Sequence, residues 1–225
     1  MACCSFERSV DRQFGEKNAR RQLRRYHRRG IGGTARMLLA GLAKARLTEG
    51  TVLDVGAGIG SLTFELLEQG VERAVIVEAS AAYADAVTSE ATRRGRASAV
   101  RVFRGDFLDV AAELPSAAIV TLDRVVCCYP RYEELLATAL ERAEHGFALS
   151  YPRERWYMRA AMALANVLLR TTSGFRTFVH PEGAMRRLIE QAGFELVNHA
   201  HNMAWSADVF VRRASMAGRA HDIGL

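Results

Sequence analysis

A chain of 225 residues, 49% of them apolar and 25% charged, is long enough to bury about 70 to 75% of the surface its unfolded form exposes. The same composition excludes a disordered, collagenous or low-complexity protein. The formal charge of +6 is unevenly placed, because residues 1–50 carry 12 basic and 4 acidic side chains and the remainder is slightly acidic; the basic excess belongs to an arm that can meet phosphates or an anionic substrate, and nucleic-acid binding over the whole surface is not implied.

The arm opens MACCSFERSVDRQF, without the apolar core of an export signal, and no run of 18 uncharged apolar residues follows. A cytoplasmic protein without a membrane span is expected. The four cysteines form two adjacent pairs, Cys3-Cys4 and Cys127-Cys128, a spacing that suits neither a disulfide framework nor a tetrahedral metal site, so no metal is expected. Ala19, Leu23 and Tyr26 fall on one stripe of a predicted helix, with Arg20, Arg21, Arg24, Arg25, Arg28 and Arg29 around the rest. Gly30, Gly32 and Gly33 end it, and Thr34 stands where it can N-cap a second helix over about 35–46.

From residue 51 onward β-branched runs alternate with helical patterns, the signature of parallel βαβ units. The predicted strands are 51–55, 74–78, 100–104, 117–122 and 146–151, with helices over 61–68, 81–94 and 132–143 between them. Residues 153–170 then carry Trp156, Ala160, Ala163, Leu164, Val167 and Leu168 at spacings of three and four, which predicts an inserted amphipathic helix covering the sheet. A loop, TTSGFRTFVHPEG, leads to a helix over 184–192 that Gly193 terminates. FELVNHAH and SADVFVRR alternate with a period near two and are expected to pair antiparallel at the sheet edge, followed by a loose tail over 214–225.

The informative stretch is TVLDVGAGIG, residues 51–60, in which a buried strand runs into a glycine-rich turn and a helix begins near Ser61. Gly56 and Gly58, with Ala57 between them, let the backbone turn sharply and approach a ligand closely. The dinucleotide fingerprint is G-x-G-x-x-G, whereas this loop reads G-x-G-x-G with Ser61 in sixth place. Asp54, two residues before the first glycine, would repel a pyrophosphate but suits a cationic amino group such as S-adenosylmethionine offers; an aspartate at a strand end can equally cap a turn. Glu78, followed by Ala79, ends the second strand where a carboxylate can accept both hydroxyls of a ribose. Asp106 and Phe107 end the third, placing an acceptor for an adenine amino group and a ring beside the base. Either acid alone serves as readily as a helix N-cap. Asp123 ends the fourth strand, toward the reacting group.

Taken together, LDVGAGIG, Glu78 in IVEAS, GDF at 105–107, LDRV and the later EQAGFELV give a chain that resembles the class I, Rossmann-like S-adenosylmethionine-dependent methyltransferases over about residues 50–213. The resemblance implies an α/β fold with a doubly wound, seven-stranded sheet in three α/β/α layers, its last strand antiparallel, and in-line methyl transfer from a sulfonium. It divides the chain into a helical arm or lid (1–50), a cofactor-binding domain (51–213, with 153–182 as a substrate lid) and a flexible tail. Cofactor binding falls to Asp54, Gly56, Ala57, Gly58, Glu78, Ala79, Asp106, Phe107 and Asp123. Candidates for catalysis are His180, Asp123 and Tyr129, against which stand a capping histidine and a packed ring. Tyr26, Arg124, Trp156 and Arg176 are candidates for the acceptor.

The expected acceptor is a small organic molecule methylated on oxygen or nitrogen, anionic in keeping with the many arginines, and a homodimer is a further expectation. LDRV in place of a D/N-P-P-Y/F turn speaks against methylation of base nitrogens. The alternatives are an RNA methyltransferase using the basic arm, a catalytically silent S-adenosylmethionine-binding regulator, and an NAD-dependent reductase.

Overall fold

Val52, Leu53 and Val55 are buried on both faces of their strand, the pattern of a parallel sheet covered on both sides. The computed structural model describes residues 9–213; Cys3-Cys4 and the expected tail lie outside the described residues. Residues 9–13 are helical, and the arm continues as α1 (Glu16–Arg29) and α2 (Gly33–Lys44). The alternating body follows as β1 (Thr51–Val55), α3 (Ser61–Glu68), β2 (Arg73–Glu78), α4 (Ala81–Arg93), β3 (Val100–Arg104), the single turn α5 (Phe107–Val110), β4 (Ala117–Asp123), α6 (Tyr132–Arg142) and β5 (Ala143–Pro152). The chain ends with α7 (Trp156–Thr172), α8 (Glu182–Gln191), β6 (Phe194–His201) and β7 (Trp205–Arg212).

The seven strands form one sheet in the order β3-β2-β1-β4-β5-β7-β6. β1 to β5 pair in parallel, and β7 runs antiparallel to both β5 and β6, so the expected edge hairpin is present with β7 inserted beside β5. Alternate strand residues feed opposite faces. Leu53, Val75, Val120 and Leu122 pack with Leu135 and Leu136 of α6 and Met185 and Ile189 of α8. Val52, Ile76 and Ile119 pack with Leu38 and Leu42 of α2, Phe64 and Leu66 of α3 and Val87 of α4. These are the two outer layers of an α/β/α sandwich.

Two local expectations are corrected. Thr34 lies buried inside α2, whose N-cap is Gly32, because the helix starts two residues earlier than the cap rule placed it. The inserted helix α7 is helical as the spacing predicts but buries none of its residues fully. Its stripe of Trp156, Leu164, Val167 and Leu168 faces outward and does not cover the sheet.

Candidate active site

The chain passes outward from β1 to β3 and returns to place β4 beside β1, which opens a crevice at the carboxyl ends of these strands. A cavity of about 290 Å³ occupies it, lined by Gly56, Gly58, Glu78, Ala79, Phe107, Asp123, Arg124 and Tyr129 from the strand ends and by arm and insertion residues on the other side.

The floor is the glycine turn. Gly56 and Gly58 have φ of 62° and 58°, in the left-handed region that L side chains disfavour. A Cβ on Gly56 would come within 2.7 Å of Val125 Cγ2, so the turn needs glycine for protein packing as well as for a ligand. The Gly58 N–H donates to Glu78 Oε2 at 2.8 Å and the Ser80 N–H to Oε1 at 2.9 Å. Each carboxylate oxygen is thus fixed by one backbone donor and keeps further acceptor capacity. Burial pushes the Glu78 carboxyl up to about 7, against the pull of backbone hydrogen bonds from Ser80, Gly58 and Ala79.

The end of β4 carries a second built feature. Arg124 is a non-glycine residue at φ 61°, a conformation costing roughly 1 to 2 kcal/mol. The Ser150 hydroxyl holds it, accepting the Arg124 N–H at 2.9 Å and donating to Asp123 Oδ1 at 2.6 Å. The Arg124 guanidinium is about half exposed and pairs with Asp123 Oδ2 at 3.9 Å. The Cys127 and Cys128 sulfurs are 3.9 Å apart and both reach the Arg124 carbonyl; Cys128 lines the cavity. The bond to Cys128 and then burial push the Cys127 thiol upward.

Several residues singled out in the sequence are placed elsewhere. Asp54 is fully buried behind the loop, where the Thr121 hydroxyl donates to Oδ1 at 2.8 Å and the Thr63 hydroxyl to Oδ2 at 2.5 Å. It ties β1 to β4 and α3 and does not line the cavity. Burial raises its carboxyl to about 6, against those two bonds. Asp106 N-caps α5 by accepting the Leu108 N–H at 3.1 Å, and Oδ1 also accepts the Tyr129 hydroxyl at 2.6 Å. Phe107 lines the cavity while Ala57 does not. Tyr129 presents its ring there, but its hydroxyl is committed to Asp106, and burial followed by that carboxylate holds the phenol far above its ordinary range.

His180 is a structural clamp: its Nε2 lies 3.1 Å from the Val126 carbonyl and 2.9 Å from that of Tyr129. Two acceptors require Nε2 to carry the proton, and burial lowers the imidazole's proton affinity. Its ring sits between Tyr132 and Phe178. Tyr26 faces the core, donating to Glu65 at 2.8 Å and accepting from Arg94 at 3.0 Å. Trp156 and Arg176 are exposed and outside the lining.

The outer wall is formed by residues the sequence reading passed over. Val10, Gln13, Phe14 and Gln22 of the arm, Leu169, Phe175 and Thr177 of the insertion, and Tyr83 and Trp205 line it. Phe14 meets Tyr83 and Phe175 edge-on, with centroids 5.9 and 5.3 Å away. The Ser80 hydroxyl donates to the Phe14 carbonyl at 2.6 Å, and Gln22 donates to the Tyr83 hydroxyl at 2.7 Å. Tyr83, one turn into the helix that follows Glu78, carried a signal by position alone. Among the described residues, no cluster of three or more His, Cys, Asp or Glu suited to a metal is present, and no helix is long and apolar enough to cross a membrane.

A doubly wound sheet with a glycine turn and a fixed carboxylate at its switch point defines the α/β proteins that bind nucleoside cofactors. Within that class, the family model described as a methyltransferase domain matches residues 20–199, and the chain belongs to this family, the class I, Rossmann-like S-adenosylmethionine-dependent methyltransferases. No curated protein matches it in sequence. Among solved structures, magnesium protoporphyrin IX methyltransferase from Synechocystis PCC 6803, with bound S-adenosylhomocysteine, superposes with a TM-score of 0.69 at 16% identity, covering 90% of this chain and 98% of that one. An O-methyltransferase family protein from Burkholderia thailandensis gives 0.61 at 16% over 73% of this chain and 51% of its own. The [4+2]-cyclase SpnF gives 0.60 at 11% over 80% and 81%. At these identities the likeness is one of fold.

Proposed function

We propose that the cavity binds S-adenosylmethionine and that the enzyme methylates an oxygen or nitrogen of a small organic acceptor bearing an anionic group. The observation that carries this reading is Glu78, buried at the end of β2 with one backbone N–H on each oxygen and set against the left-handed glycine turn. Such a carboxylate is pre-oriented for a pair of vicinal hydroxyls, and a phosphate there would be repelled. The residues fit the cofactor: Glu78 would hold the ribose, Gly56 and Gly58 admit the backbone approach, and the Phe107 ring would flank the base. The bound group supplies a methyl on a positively charged sulfur, an electrophile with a good leaving group.

This chain's residues then do the work of positioning. Arg124 faces the cavity beside Asp123 and is suited to hold an acceptor carboxylate or phosphate in bidentate fashion. Asp123, kept in place by Ser150, is the cavity carboxylate at the β4 end that can take a proton from an acceptor hydroxyl or amine. His180 and Tyr129 are not bases in this scheme, since one is a proton donor to two carbonyls and the other is a phenol bound to Asp106. Phe14, Phe175 and Gln22 wall the cavity on its outer side.

The test is transfer of labelled methyl from S-adenosylmethionine to a panel of small carboxylates and phosphates and their neutral esters or amides. Turnover restricted to the anions, with Arg124→Gln raising KM, supports the reading; preference for the neutral partners overturns the anionic acceptor. The six α1 arginines are exposed, which favours RNA as a second reading; it requires turnover on RNA that falls steeply with salt.

A further inference from the structure

Helix α7 is apolar on two sides. Met162, Ala165 and Leu169 are half-buried toward the domain, and Leu169 reaches the cavity. The opposite side carries Trp156, Leu164, Val167 and Leu168, exposed by 81%, 74%, 66% and 65%, with Ala160 and Ala163 also exposed between them. At 1.5 Å per residue the stripe is about 18 Å long. Met203, 82% exposed, extends it at the N-terminal end, where the Tyr157 hydroxyl donates to the Met203 carbonyl at 2.6 Å. Single exposed apolar side chains are ordinary, but a continuous stripe ending in a tryptophan marks an interaction surface.

The charges around the stripe select its occupant. Arg155, Arg159 and Arg170 are exposed on α7 or at its N-cap, the Arg153 guanidinium donates to the Asn202 carbonyl beside Met203, and Glu154, the one acidic residue of 153–176, is paired with Arg159. A second copy laid stripe to stripe would set these arginines against their equivalents. An extended, negatively charged apolar boundary satisfies both the stripe and its rim.

We propose that the outer face of α7 docks the protein on the surface of an anionic phospholipid bilayer. The helix lies in the plane of the interface, with Trp156, Leu164, Val167, Leu168 and Met203 among the upper acyl chains and the arginines on headgroup phosphates. Leu169 on the inner side brings the cavity near the lipid, so that an amphiphilic acceptor reaches it from the bilayer; this delivery rests on the proposed methyl transfer, whereas docking itself does not.

The experiment is co-sedimentation of the full chain with phosphatidylcholine vesicles containing roughly 30% phosphatidylglycerol, against phosphatidylcholine alone. Expected are binding to the anionic vesicles that weakens with salt, a blue shift of tryptophan emission that Trp156→Phe removes, and a loss of more than about tenfold in partitioning for Leu164→Asp/Leu168→Asp. Unchanged melting temperature and S-adenosylmethionine affinity in that double variant separate lost docking from lost folding. No binding to anionic vesicles, or binding the double variant retains, overturns the proposal; self-association abolished by the double variant, without vesicle binding, assigns the stripe to a second copy instead. Neither sedimentation nor fluorescence requires turnover, so a failure here leaves the methyl-transfer reading standing, and the reverse.

Discussion

At the scale of single residues, Glu78 concentrates the chemistry of the site, because it is the acid that burial and backbone donors prepare for a ligand. Its folded-state value near 7 lies above the ordinary 4.5, so in the unliganded protein its contribution to stability is present below about pH 4.5 and is lost as pH rises toward 7. Asp54, raised from 3.8 to about 6, acts in the same direction. Each displacement corresponds to roughly 3 kcal/mol across its window. Thermal melts of the unliganded chain should therefore fall between pH 4.5 and 7.5, and Glu78→Gln should flatten part of that slope. Ribose binding needs the ionised acid, so cofactor affinity should rise through pH 7 in the parent and not in Glu78→Gln, while Glu78→Ala should weaken binding by about 1.5 to 3 kcal/mol. His180→Ala should lower the melting temperature by removing a donor to two carbonyls, with cofactor affinity unchanged. Arg124→Gly should relieve backbone strain and stabilise the fold by roughly 1 kcal/mol while impairing acceptor use, as strain stored at functional sites predicts; a less stable variant would contradict that account of Ser150 and Arg124.

At the scale of elements, the β-strands and the helices between them were legible because burial on both faces leaves unbroken apolar runs, and β1, β3 and α3 fall where the sequence places them. The faces of helices were less legible. Periodicity shows that α1 and α7 each have an apolar stripe, but not what the stripe meets: Tyr26 on the α1 stripe turned to the core, and Gln22 beside it turned to the cavity. The insertion's stripe turned to solvent. Acids at strand ends were ambiguous for a related reason, since Asp54 and Asp106 sit one residue from the cavity and find hydroxyl or N–H donors inside the protein. Phe14 should be the element-level hinge of closure, holding the arm to Tyr83 of α4 and Phe175 of the insertion. Phe14→Ala is expected to raise the acceptor KM severalfold with little change in melting temperature, read by steady-state kinetics beside a thermal melt; a melt that collapses would make the Phe14 ring a core contact and not a cavity wall.

For the whole molecule, the sheet order sets the crevice, the crevice sets which strand ends face a ligand, and the uneven charge decides which surfaces meet anions. The family match fixes the class, whereas the side chains of the arm and insertion, which form the outer wall of the cavity, are where the proposed acceptor would be selected. The nature of the ligand in the crevice decides the chemistry, and titration calorimetry at pH 8 addresses it directly. S-adenosylmethionine and S-adenosylhomocysteine should each give saturable one-to-one heat that Glu78→Ala diminishes, with none from NAD(H). Folded protein that takes up NAD(H) and gives no heat with either sulfur nucleoside would contradict it.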